Sequence, residues 1–192
     1  MNRSGSRSLS RRTFVAVAGV GAGSLAGCLN RSEGTEGDPE DEREIEPIEL
    51  VDHSGDEPIE PPEEYRCPVC NMVPADWDNW NAQLVHEGEG ATFFDSAGCL
   101  FNYYVDPAKE GGPDAEISAA WTTGYESLDL IDATEASFVL EHDQERIDAP
   151  MDSPVPFADR DDAVAYVEEY DDLTEDDIVG LEDADSEAAL IY

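Results

Sequence analysis

The sequence predicts an α+β fold of two similar small lobes, each made of antiparallel strands followed by a helix. Three observations predict it. Trp80-Asn81-Ala82-Gln83-Leu84-Val85-His86 and Ala91-Thr92-Phe93-Phe94 are strand-like and flank the turn Glu87-Gly88-Glu89-Gly90, and helical spacing follows over 97–105. A second set of strand-like segments, 117–123, 128–131, 136–141 and 155–158, is again followed by a helical pattern. Both sets close alike, with an aromatic strand, a capping Asp and a helix bearing a Tyr: Phe94-Asp95…Tyr104 and Phe157-Ala158-Asp159…Tyr170. That likeness suggests an internal duplication.

The elements follow in chain order. Residues 1–27 read as a targeting peptide: Ser10-Arg11-Arg12-Thr13-Phe14-Val15 resembles the twin-arginine export motif, and Leu25-Ala26-Gly27-Cys28 resembles a lipobox. The expectation is an exported protein held at the outer face of the cell membrane by a lipid on Cys28. Residues 28–62 are acidic, carry no apolar period and read as an extended flexible tether, with Ile45, Ile48, Leu50 and Val51 supplying one short strand. The first lobe spans 63–112. In its helix Leu100, Phe101 and Tyr104 are at helical spacing, Asp95 or Ser96 caps the start, and Asp106-Pro107 and Gly111-Gly112-Pro113 end the lobe. The second lobe spans 113–180. Val155-Pro156-Phe157-Ala158 is placed at a sheet edge, where proline is tolerated, and Asp159 caps a helix through Val164, Val167 and Tyr170. Residues 181–192 read as a tail.

Composition narrows the function classes. The chain has 192 residues, 47 Asp and Glu against 10 Lys and Arg, and a formal net charge of −37. Such a surface repels a nucleic-acid backbone, so no nucleic-acid partner is expected. No apolar run is long enough for a transmembrane helix, which excludes a polytopic membrane protein. Residues 1–27 hold four arginines and no acid, leaving 6 basic and 47 acidic groups on the other 165 residues, a net of −41. The acids run through every segment, and Lys109 is the single lysine. This reads as adaptation to high salt, where screening removes the self-repulsion.

The chemistry sits in the cysteines. With Cys28 assigned to lipid, Cys67, Cys70 and Cys99 remain, an odd set for an exported chain. Cys67-Pro68-Val69-Cys70-Asn71-Met72 fits a redox pair, half of a zinc site or a simple disulfide. A redox CxxC usually opens a helix, whereas Pro74, Asp76 and Asp78 read as a loop. Zinc wants four ligands, and beyond the CxxC only Cys99 and scattered His53, His86 and His142 are available. Thiolate plus thioether is a soft set that selects Cu(I). Outside residues 1–27 the methionines are Met72, beside the CxxC, and Met151, in the proline-bracketed loop Ala149-Pro150-Met151-Asp152-Ser153-Pro154. Gap-filling in a core is the ordinary role of a methionine, and a loop between prolines weakens that reading for Met151.

Taken in order, Cys67-Pro-Val-Cys70-Asn-Met72, Ala82-Gln83, Phe94-Asp95-Ser96-Ala97-Gly98-Cys99, Trp121, Ile131-Asp132-Ala133, Ala136-Ser137-Phe138-Val139, Pro150-Met151 and Val155-Pro156-Phe157-Ala158 resemble the NosL-type accessory proteins of nitrous oxide reductase, in a haloarchaeal-type acidic version. The resemblance covers roughly Tyr65 to Tyr170. It implies an extracytoplasmic lipoprotein, not an enzyme, that binds Cu(I) and supplies it to nitrous oxide reductase or another copper enzyme. It also implies a two-lobed core like that of organomercurial lyase. The family's Cys-Gly-Met is Cys70-Asn71-Met72 here, and Asn is the residue best able to replace Gly at positive φ.

Carried over, the resemblance implies a metal site of Cys70 and Met72, then Met151. Cys67 ranks lower as a further thiolate. His86 is a candidate to complete the site, although a lone histidine more often ends a strand in solvent. Cys99 is read as buried packing before ligation. The rival class is an exported thiol-disulfide oxidoreductase using Cys67 and Cys70. A third is a binding lipoprotein with a structural Cys67–Cys70 disulfide.

Overall fold

The computed structural model describes residues 45–184. The export motif, the lipobox with Cys28, residues 28–44 of the acidic tether and residues 185–192 therefore lie outside the described residues. Seven strands and two helices form an α+β fold with two antiparallel sheets. The first sheet has the order β2-β1-β3-β4, from β1 (Ala82–His86), β2 (Gly90–Phe94), β3 (Ile117–Thr123) and β4 (Leu130–Asp132). The second has the order β6-β5-β7, from β5 (Ser137–Val139), β6 (Val155–Phe157) and β7 (Ile178–Val179). The helices are α1 (Ala97–Val105) and α2 (Arg160–Glu168). Among the described residues no helix is long and apolar enough to cross a membrane.

The expected lobe boundary moves. The segments 117–123 and 128–131 were assigned to the second lobe, but β3 pairs with β1, Gln83 opposite Trp121, and β4 pairs with β3. A central strand must satisfy both of its edges, and β3 supplies the second edge of β1. β4 also starts later than expected, because Leu128 sits at φ 58 in a turn and cannot extend the ladder. β5 is likewise shorter than 136–141.

Every residue of β1 and β2 is buried, so both faces of this sheet are covered. Ala82, Leu84, Phe94 and Ala120 pack with Leu100, Phe101 and Tyr103 of α1. On the opposite face Val85, Phe93 and Trp121 pack with Tyr65. The second face is closed by part of the expected tether, which is a correction: the chain docks from Ile48. Val51 and Ala91 exchange backbone hydrogen bonds of 2.9 and 2.8 Å, capping the exposed edge of β2. The Gln83 amide bonds both the N–H and the C=O of Ile59, at 3.0 and 2.9 Å. Tyr65 Oη meets Thr92 Oγ1 at 2.8 Å. Gly90 makes this docking feasible: at φ 127, a Cβ there would lie 2.5 Å from Val51 O.

α1 is buried at six of its nine positions because it serves both sheets. Phe101 meets Phe138 of β5 edge-on, with ring centroids 4.9 Å apart. Tyr103, rather than the expected Tyr104, is the core tyrosine. Ser96 is the cap and accepts the Cys99 N–H, so Asp95 is released from that duty. In the second sheet Val139, Val155 and Phe157 pack with Ala163, Tyr166 and Val167 of α2. Pro156 lies on an edge strand as expected, and Asp159 is the N-cap of α2, without a side-chain cap bond. Leu181, assigned to the tail, is buried against α1's cluster.

Candidate metal centre

The loop 67–72 is closed on itself. Cys67 N–H donates to Met72 C=O and Asn71 N–H to Cys67 C=O, both at 2.9 Å. Asn71 takes φ 65, the left-handed conformation expected of a residue standing in for glycine. This turn places Cys67 inward, buried, and Cys70 half-buried.

Cys99, in the first turn of α1, is buried beside them. The ligating atoms of Cys67, Cys70, Cys99 and Asp95 all lie within 4.8 Å of one another. Sulfurs each about 2.3 Å from one ion stand at most about 4.6 Å apart, so this group needs little movement to share a metal. Asp95 is fully buried; its Oδ1 lies 2.8 Å from Cys70 Sγ, and its Oδ2 has no hydrogen-bond partner. An orphaned carboxylate oxygen beside three sulfurs is the feature that a bound cation would satisfy.

The electrostatics single out Cys70. Hydrogen bonds from the Cys67 and then the Cys99 thiol favour its thiolate and hold it well below the ordinary thiol range. Cys67 and Cys99 are raised in turn, by those bonds and by burial. Burial, followed by the Cys70 contact, pushes Asp95 up to about 6. The cluster thus favours the thiolate at Cys70 and the thiol at Cys67 and Cys99.

The sequence-derived candidates fall into different places. Cys67 and Cys70 are brought together. Met72 is half-buried on the same loop, two residues from Cys70. Met151 is 41 % exposed. Its loop is tied to the site's helix through Ser153, whose Oγ accepts the Gly98 N–H at 3.2 Å. His86 stands outside the cluster. It is fully buried rather than solvated, with Nε2 2.9 Å from Tyr103 Oη, and burial lowers its pKa. Sequence reasoning missed Cys99 and Asp95 as members of the group. The signals were present: an unexplained third thiol, and an Asp–Cys pair spaced i,i+4 across the start of a helix.

The family model described as NosL matches residues 58–178. The crystal structure of the copper chaperone NosL from Shewanella denitrificans superposes with a TM-score of 0.53 at 16 % identity, covering 68 % of this chain and 97 % of that one. At that identity the likeness establishes the fold. No curated protein matches.

Proposed function

The chain belongs to the NosL family, and from that membership and the sulfur cluster we propose that it is a Cu(I) carrier. It would take the ion through Cys70 and Met72 and hand it to a copper enzyme, nitrous oxide reductase being the recipient that the family resemblance suggests. The observation that carries the reading is the convergence of three cysteine sulfurs and one orphaned carboxylate within 4.8 Å, two of the sulfurs on a loop that also bears a thioether. Soft sulfur donors favour Cu(I) over harder ions. Cys70, half-buried and already biased toward thiolate, is the donor an arriving ion would meet first, with Cys67 and Cys99 behind it. Met151 is proposed to close the site from its loop. Export, the lipid anchor on Cys28 and adaptation to molar salt belong to the same proposal, supported by the N-terminal motifs and the acidic composition.

The test is a Cu(I) titration against a chromophoric competitor at molar salt. About one equivalent should bind, and Cys70→Ser with Met72→Ala should remove most of the affinity. Retention of full affinity in that double variant sinks the site. Zinc taken in preference to Cu(I) sinks the metal, a serious contest because three thiols and a carboxylate also satisfy a tetrahedral Zn²⁺. The redox reading draws on the same pair: Cys67 and Cys70 are both free thiols, and Cys70 is the more accessible of the two. Met72→Ala separates the two readings, since disulfide exchange has no use for a thioether.

A further inference from the structure

Two concavities outside the metal centre share a wall. The first, of 590 Å³, is lined by Trp77, Trp80 and Tyr125, with Asp76, Asp78 and Asp148 supplying charge. The second, of 390 Å³, is lined by Glu60, Glu63, Asn81 and Leu130 among others. Asp78 and Leu128 belong to both.

Four features set this double basin apart from an ordinary acidic surface. Its positive charge is already committed: Arg146, which lines the first cavity, bonds Glu141 at 2.9 Å and Asp172 at 2.6 Å and stacks over Tyr170. Among the described residues none of Asp76, Asp78 and Asp148 has an ion-pair partner. Asn81 is buried in the wall of the second cavity, yet its Oδ1 has no hydrogen-bond partner. Leu128 on the shared ridge is 55 % exposed and held at φ 58, a conformation that costs a branched side chain energy without burying it.

We infer that the double basin is a docking site for an arginine-bearing segment of a protein partner. A guanidinium offers a flat cationic face to the indoles of Trp77 and Trp80 and a fork of N–H donors to the exposed carboxylates of Asp78 and Asp148. The apolar stem of the same side chain covers Leu128. The basin is also continuous in sequence with both methionine loops: Trp77 follows Met72 by five residues and Asp148 precedes Met151 by three. A partner seated here touches the segments that hold the cargo. That this partner receives copper rests on the carrier reading; recognition of the guanidinium does not.

The test uses the metal-free full chain at molar salt, isotopically labelled so that its three tryptophan indole N–H signals are resolved by NMR. The probe is N-acetyl-arginine-methylamide, with the neutral citrulline analogue as control. The Trp77 and Trp80 signals should shift saturably with the arginine probe while Trp121, which lines neither cavity, stays in place. Asp78→Asn with Asp148→Asn should weaken the affinity by about tenfold, roughly the worth of one or two charge contacts. Both side chains are exposed, so this variant folds, and its unmoved Trp121 signal verifies that. Equal shifts with citrulline, equal movement of Trp121, or unchanged affinity in the double variant each overturns the assignment. Because no copper is present, a failed Cu(I) titration leaves this result standing, and the reverse holds.

Discussion

Asp95 and Glu141 are both fully buried carboxylates, and their surroundings could hardly differ more. Glu141 Oε1 accepts from the Arg146 guanidinium at 2.9 Å and from the Asp143 N–H at 2.8 Å, and its Oε2 accepts from Tyr166 Oη at 2.6 Å. Arg146 continues to Asp172, tying β5, α2 and the loop 140–147 into one closed network. Asp95 Oδ1 meets the Cys70 sulfur at 2.8 Å, and its Oδ2 has no hydrogen-bond partner. A closed network fixes packing; an open one, set beside three thiols, keeps capacity for a ligand. The two sheets thus divide the work: the second is braced by a satisfied acid, and the first holds an unsatisfied one in the sulfur cluster.

The largest effect tests the braced side. Glu141→Ala removes the acceptor of Tyr166 Oη and of the Asp143 N–H, while Arg146 keeps Asp172, and should cost about 1–3 kcal/mol, the range for leaving buried hydrogen-bonding groups unpaired. Denaturant unfolding at molar salt measures it, and a loss below about 1 kcal/mol would mean that solvent already reaches this network.

Asp95→Asn should behave oppositely. Removing an under-solvated charge should leave the metal-free fold within about 1 kcal/mol of wild type or raise its stability, while weakening metal binding. The pH dependence gives the sign. Burial raises the Asp95 carboxyl from 3.8 to about 6. Between those values the folded chain holds a proton that the unfolded chain has released, so the associated stability is complete below pH 3.8 and is lost as pH rises through 6. The metal-free wild type should therefore lose stability relative to Asp95→Asn across that window. Parallel curves would mean that Asp95 is as well solvated as a surface acid.

The two sides were also unequally legible in the sequence. Local chemistry was readable: the 82–94 hairpin, the two helices, the edge proline in β6 and the left-handed Asn71 each follow from turn residues, capping and period. The CxxC and Met72 were readable because they lie within six residues. What escaped depends on distance along the chain. Cys99 is 29 residues beyond Cys70, and only the packing of α1 on β1 and β2 brings it to the loop. Asp95 looked like a cap because Ser96, the real cap, is its neighbour. The Glu141 network was hidden by composition, since one important carboxylate cannot be singled out among 47. The docked stretch 48–62 was read as tether because its bonds go to a partner edge and to the Gln83 amide, which leave no periodicity.

A third experiment sharpens the open side by asking how many thiols the metal recruits. Cys70 is held toward thiolate, while Cys67 and Cys99 are held protonated. Binding through Cys70 and Met72 alone should release almost no proton near neutral pH. Each further thiol drawn in should release about one. Calorimetry of Cu(I) binding in buffers of different ionisation enthalpy counts them, and Cys99→Ser should lower the count only if Cys99 is a ligand. A release of more than two protons would contradict the low pKa assigned to Cys70.

The smallest expected effect lies where the two sides meet. Ser153 Oγ accepts the Gly98 N–H from the first turn of α1, while the Ser153 N–H donates to Gln144 Oε1 at 2.8 Å. Gln144 Nε2 in turn donates to Glu141 C=O at 2.7 Å, so one serine joins the braced network to the helix that carries Cys99. Ser153→Ala deletes the Oγ bonds to the Gly98 N–H and the Pro154 C=O and leaves the Gln144 contacts, which use the backbone. Only the Gly98 bond crosses between the two sides, and its loss should cost about 1 kcal/mol, the net worth of one hydrogen bond. Its signature should be local: faster amide exchange at Gly98 with unchanged exchange across β5, together with a loss of Cu(I) affinity smaller than that of Met151→Ala. If exchange rises equally in both sheets, the division between a braced side and an open side fails, because the two would then unfold as a single unit through this bond.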